Sequence, residues 1–289
     1  MGQDQEKSLW IKSDWLLLAT MGIVIGFAVI WELNNIQIIN GPAVSAMIQY
    51  SVWWSVPWLY LAFATSAIRS LFPGSISPLL MRYRRFFGLC FSVGMTWHLP
   101  FIVWLVFGFT DYYINEVYLL SDVIIQIPGY IFLIAMTFTS LYPMRRRMNP
   151  KHWILLHKVG IYFLWQTVWS TYWYELYYYD DIQRIDYIYY WIGFFVWVIR
   201  PVAWALKKEL TFIGKGFLFF SILFSSLAVI FGSFWAQSAM DFFMLNPVLV
   251  VIELAVPFLP IFAAALSIYL IVRWQAKEIH MSSAVTNSK

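Results

Sequence analysis

What most constrains this chain is a recurrence. Continuous apolar windows of about 20 residues, the length a helix needs to cross a hydrocarbon core of ~30 Å, appear near 14–33, 48–68, 86–109, 118–142, 154–174, 187–206, 212–236 and 247–272. Inside hydrocarbon every backbone N–H and C=O must find its partner within the protein, so only helices and closed barrels can span. Barrel strands announce themselves as alternating segments of ~10 residues. The runs here are unbroken and predict helices. With 61% hydrophobic residues and 12% charged ones, a soluble globular domain is excluded. The expected class is an all-α integral membrane protein of about eight transmembrane helices, with the lipid bilayer as its surroundings.

Orientation follows from lysine and arginine near the span ends. The connection between spans two and three carries Arg69, Arg82, Arg84 and Arg85; that between four and five carries Arg145, Arg146, Arg147 and Lys151; that between six and seven carries Lys207, Lys208 and Lys215. The alternate connections hold almost none, apart from Arg184 among Asp180, Asp181 and Asp186. Lys7, Lys12, Arg273 and Lys277 place both termini on the basic, cytoplasmic side. The opposite face is rich in tyrosine around 172–190 and reads as an interfacial belt. Residues 1–13 form a polar segment, expected to be retained because the apolar run after it is too long for a signal-peptide core.

Several functions are excluded by what the connections cannot hold. None is long enough to fold as a soluble flavin or nucleotide domain, and no Gly-rich dinucleotide fingerprint, phosphate loop or His-Glu-x-x-His motif occurs. The net charge of +4 is spread over loops, which gives no nucleic-acid surface. The single cysteine, Cys90, lies inside a span and reads as a small buried hydrophobe. Chemistry, if any, belongs within the membrane or at its face with a partner. The absence of an internal repeat counts against a transporter built from inverted halves.

Ionisable residues inside a bilayer mark functional positions by default. His280 lies in the polar tail and His152 at the cytoplasmic boundary, which leaves His98 and His157. At ~100° per residue, the face of span three that carries His98 also carries Arg84, Gly88, Phe91, Gly94 and Met95. The face of span five that carries His157 also carries Gly160, Leu164, Val168 and Thr171. A glycine within one turn of each histidine lets another helix, or a flat porphyrin edge, approach closely. Asp122 and Gln126 on span four and Glu253 on span eight are weaker candidates near the outer ends, and Arg200 is expected to snorkel to the interface.

Two stretches resemble a known family. Arg84-Arg85-Phe86-Phe87-Gly88-Leu89, running on to His98-Leu99, is similar to the third span of ferric reductase-like transmembrane domains, a group that includes MsrQ-like haem-binding membrane subunits. Pro128-Gly129-Tyr130, Met136-Thr137-Phe138-Thr139-Ser140, the Arg145–Arg147 cluster and Trp153-Ile154-Leu155-Leu156-His157-Lys158-Val159-Gly160-Ile161-Tyr162 extend the resemblance to span five. It covers residues 14–206, a six-helix core. Residues 207–272 would add two helices, and 273–289 a cytoplasmic tail.

The resemblance implies b-type haem held by histidines of spans three and five, and electrons passed from quinol or a separate flavoprotein to an acceptor. It also implies a bacterial inner (plasma) membrane. His157 and His98 are the expected iron ligands, with Arg84 and Arg85 placed for the propionates or for lipid phosphate, and one haem is expected. The chain departs from the pattern later on span five, where Trp169-Ser170-Thr171 stands in place of a second histidine. At 1.5 Å per residue, His98 lies ~20 Å beyond Arg84 and His157 only ~10 Å beyond Pro150, so the two are poorly level. Helix tilt of ~20° could still bring both onto one haem. The alternatives are a haem-free structural or partner-binding subunit on the same scaffold and a small-solute transporter.

Overall fold

A computed structural model of the chain describes residues 3–36, 40–118, 120–141, 144, 147–179, 183–244 and 254–287. Among them there is no strand. The helices are α1 (Gln3–Ile36), α2 (Gly41–Leu71), α3 (Ile76–Gly108), α4 (Leu120–Ser140), α5 (Pro150–Tyr174), α6 (Arg184–Leu206), α7 (Phe212–Ile230), α8 (Gly232–Met244) and α9 (Leu259–Asn287). Short π-helical turns follow α3 and α5, at Tyr113–Val117 and Glu175–Tyr179, and one 3₁₀ turn, Val256–Phe258, leads into α9.

Among the described residues, five stretches are long and apolar enough to cross a bilayer: Leu18–Ile36, Ile76–Gly108, Arg184–Leu206, Phe212–Ile230 and Val256–Lys277. The protein is therefore an all-α membrane protein. At 31 and 25 residues, α2 and α5 also have the length to span, but serine, glutamine, lysine and histidine interrupt their apolar runs. Large apolar side chains face outward along α7, where Phe212, Phe219 and Phe224 are exposed. In water that surface would be a liability; against lipid it is the expected exterior.

The chain divides into two compact units. Met1–Thr65 with Pro78–Val168 form the first, and Ser66–Ser77 with Trp169–Lys289 form the second. In the first, Ile25 and Val29 of α1, Val44 and Met47 of α2 and Phe101 and Leu105 of α3 share one buried cluster. Close approach is built on glycine. Gly22 and Gly26 of α1 sit against Val93 and Trp97 of α3, with the Trp97 ring 3.4 Å from where a Gly26 Cβ would stand. A Cβ on Gly94 of α3 would overlap the Ser55 side chain and lie 3.2 Å from the Ser55 Cα of α2. One on Gly88 would meet nothing within 4 Å. Cys90 is buried with a free thiol, as a small core residue should be.

In the second unit the buried residues of α6 recur at helical spacing, Tyr190, Phe194 and Trp197 among them, so one stripe of the helix faces protein. Its start is fixed by a capping box between Gln183 and buried Asp186. A carboxylate there satisfies orphan N–H groups and meets the positive end of the helix dipole. Trp169 is fully buried, stacks on Tyr190 with ring centroids 5.3 Å apart, and donates its indole N–H to the Tyr190 carbonyl at 3.1 Å. Thr211 caps α7 by accepting from the Gly214 N–H at 3.2 Å. Ser225 of α7 donates to the Pro260 carbonyl of α9 at 3.0 Å.

The structure departs from the expected window 212–236 at residue 231, where α7 stops. Gly232 lies directly after the last helical turn, and a Cβ there would come within 2.6 Å of the Tyr177 ring. The carbonyls left open by the break are filled. The last ladder bond runs from the Phe231 N–H to the Leu227 carbonyl at 2.8 Å; beyond it Ala228 accepts from the Trp235 indole at 2.8 Å and Val229 from the Tyr177 hydroxyl at 3.0 Å. Burial raises the Tyr177 phenol above its ordinary pKa.

The glycine contacts give a direct test. Gly94→Ala pushes α3 against the α2 backbone and is expected to cost about 1–3 kcal/mol, whereas Gly88→Ala has room for its methyl and should stay within about 0.5 kcal/mol of wild type. Thermal unfolding of the detergent-solubilised protein distinguishes the two.

Candidate functional site

Both histidines singled out in the sequence are half-buried in the first unit. They are engaged in different ways. His98, near the end of α3, places Nδ1 3.1 Å from the Ile48 carbonyl and 3.1 Å from the Ser51 hydroxyl of α2. A carbonyl can only accept, so Nδ1 carries the proton in this arrangement. Ser51 donates its own hydrogen to the same carbonyl at 2.7 Å and so accepts from the ring. That fixes the tautomer and leaves Nε2 with a lone pair and no hydrogen-bond partner among the described residues. Tyr130 of α4 lies nearly parallel to the imidazole, at 17° with centroids 6.4 Å apart, and its hydroxyl is buried with no partner among the described residues.

His157, near the start of α5, is held the other way round. Thr139 of α4 donates its hydroxyl to the Ala135 carbonyl at 2.7 Å. Its oxygen is then left to accept from His157, whose Nε2 lies 3.1 Å away. The ring stacks on Trp153, one turn earlier on the same helix, with centroids 4.2 Å apart. Trp153 in turn donates to the Thr139 carbonyl at 3.1 Å. His157 is therefore a fastener between α4 and α5, and its Nε2 is occupied.

The two histidines are not brought together. Tyr130 beside His98 and Thr139 bonded to His157 are both on α4, nine residues apart, which is ~14 Å along the helix axis. Gly160 serves the α4–α5 contact, since a Cβ there would overlap Met136 and lie 3.2 Å from the Phe132 ring. Arg84 is half-buried and donates Nε to the Ala62 carbonyl of α2 at 3.0 Å. The Arg85 guanidinium lies over the Phe86 ring, 5.7 Å from its centroid. Ser170 is buried, Thr171 is exposed, and both belong to the second unit.

Of the weaker candidates, His152 and Gln126 are exposed and Arg200 is half-buried. Glu253 and the side chains of Asp122 and His280 lie outside the described residues, as do Arg145 and Arg146. Sequence reading assigned no role to Ser51, Tyr130, Thr139 or Trp153. Only Trp153 had a local signal, its i,i+4 spacing to His157; the others come from different helices. Among the described residues no group of three or more His, Cys, Asp or Glu gathers as a metal site. Comparison of the chain with protein-family models, curated proteins and solved structures returned no match.

His157→Phe keeps the ring on Trp153 and removes the bond to Thr139. It is expected to cost about 1 kcal/mol of stability, and the double variant with Thr139→Val should cost little more, as read from chemical or thermal unfolding in detergent.

Proposed function

We propose that this chain is a membrane electron-transfer protein that holds one b-type haem, with His98 Nε2 as the axial ligand. Electrons would come from quinol or a separate flavoprotein and leave to an acceptor at the opposite face, in keeping with the resemblance to ferric reductase-like membrane domains. The observation that carries the reading is the orientation of His98. A metal-binding imidazole commonly donates its other ring N–H to a carbonyl, which sets the tautomer and raises ligand basicity. His98 has that arrangement through Ile48 and Ser51. Bound haem would supply one-electron redox chemistry. Ser51 and Ile48 would orient the imidazole, and Tyr130 would line one side of the ring. Arg84 and Arg85, farther toward the basic side, would meet propionates or lipid phosphate.

The proposal includes the full topology: eight spans, both termini cytoplasmic, in a bacterial inner membrane. Its support is the alternation of lysine- and arginine-rich connections with ones that hold almost none. A fluorescent protein fused after residue 289 that matures only in the cytoplasm should be bright in intact cells, and a dark fusion would reverse the orientation.

A second reading, a haem-free scaffold that binds a partner subunit, draws on His157. Its Nε2 is committed to Thr139, and Ser170-Thr171 stands where the resemblance leads one to expect a further ligand. An absorption spectrum separates the readings. The reduced protein purified from haem-replete cells should show a b-type Soret and alpha band, lost in His98→Ala and kept in His157→Ala. Ser51→Ala should keep the band and shift the midpoint potential, since it alters only what His98 leans on. No band in the wild type selects the scaffold.

A further inference from the structure

The outer end of α7 is built to turn the chain. Phe231 and Gly232 interrupt the helix, and the open carbonyls of Ala228 and Val229 are taken by Trp235 and Tyr177. The helix that follows, α8, packs on the ends of three elements within the second unit: the π-helical turn after α5, the 3₁₀ turn before α9, and the last turn of α7. Trp173 near the end of α5 stacks toward Trp235 at 6.3 Å. A helix that packs on the terminal turns of its neighbours is placed to lie across them.

The surface of α8 is divided three ways. Gly232, Ala236 and Met240 are buried and recur every fourth residue, which makes one stripe that faces protein. Ser233, Gln237 and Asp241 form a second, exposed and polar, with Gln237 donating to Asp241 at 3.0 Å. Phe234, 80% exposed, and Phe242, 60% exposed, fall on the third, with the small exposed Ser238 between them and Phe231 just before. A helix that crosses a bilayer has no use for a polar stripe along its length, and one in water has no use for a row of bare phenylalanines. Both are satisfied at the boundary between headgroups and acyl chains, where amphipathic helices lie flat.

We propose that α8 is an interfacial helix that lies in the plane of the membrane, at the end of α7 remote from Lys207, Lys208 and Lys215. Phe231, Phe234 and Phe242 insert among the acyl chains of that leaflet, while Ser233, Gln237 and Asp241 face water. Its partner is the lipid surface itself. The inference rests on the membrane reading of the fold and not on haem.

Cys90 is the single cysteine, so Cys90→Ala gives a background for site-directed spin labels. Labels are placed by Phe231→Cys, Phe234→Cys, Phe242→Cys and Gln237→Cys, one at a time, in the full chain reconstituted into phosphatidylcholine–phosphatidylglycerol vesicles. Collision with dissolved oxygen should exceed collision with a water-soluble nickel chelate at 231, 234 and 242, and the ratio should invert at 237. The labels at 234 and 242 should report the same depth, although their positions are ~12 Å apart along the helix axis. Depths that differ by that full length would make α8 a crossing helix, and nickel-accessible labels at 234 and 242 would place it in water; either result overturns the proposal. Because all four side chains are outward-facing or partly so, loss of one variant to misfolding leaves the comparison intact.

Discussion

A polar side chain buried in hydrocarbon must find an acceptor, and in this protein the acceptor is again and again the main-chain carbonyl of a different element. His98 reaches Ile48, Arg84 reaches Ala62, Trp153 reaches Thr139, Trp169 reaches Tyr190, Tyr177 reaches Val229 and Ser225 reaches Pro260. A helical carbonyl already accepts one bond from its own ladder and has a second lone pair to offer. Each such bond contributes about 0.5–1.5 kcal/mol, but an unmade one would cost more. Where lipid and protein interior are equally apolar, these bonds and the close approach allowed by Gly22, Gly26 and Gly94 specify which helices pair.

The helical membrane class was legible because it depends on summed apolar length, which the sequence states openly. Helix ends were less so. The window 86–109 located the apolar part of α3 but not its first ten residues, Ile76–Arg85, because arginines in water extend a helix as readily as they flank one. The break between α7 and α8 was missed for the opposite reason. Hydropathy runs on through residue 236, and the side chain that packs against the break is Tyr177, more than fifty residues earlier, beside Gly232. The glycine was the one local signal, of the kind common just past a helix terminus.

For the candidate site, position inside the spans singled out two histidines, His98 and His157. The structure separates them by chemistry. Their difference lies in which ring nitrogen is bonded to what, and that is decided by Ser51 and Thr139, short hydroxyl residues with many copies in the chain; Thr139 lies in a stretch that carries the resemblance, but nothing there pairs it with His157. The small residues flanking the histidines were read as room for a helix or a porphyrin. Gly94 and Gly160 serve helix contacts, and Gly88 is the one that faces open space.

The α4–α5 pair is fastened beside its own connection: Trp153 and His157 bond to Thr139 across only 14 and 18 residues. The α2–α3 pair is clasped far from its own connection, where His98 meets Ile48 across 50. During synthesis the first clasp can close as soon as the opening turns of α5 emerge, with little chain entropy at stake. The second must wait until nearly all of α3 has been made. An imidazole placed that far from the α2–α3 connection holds together a part of the hairpin that the connection itself leaves free to part.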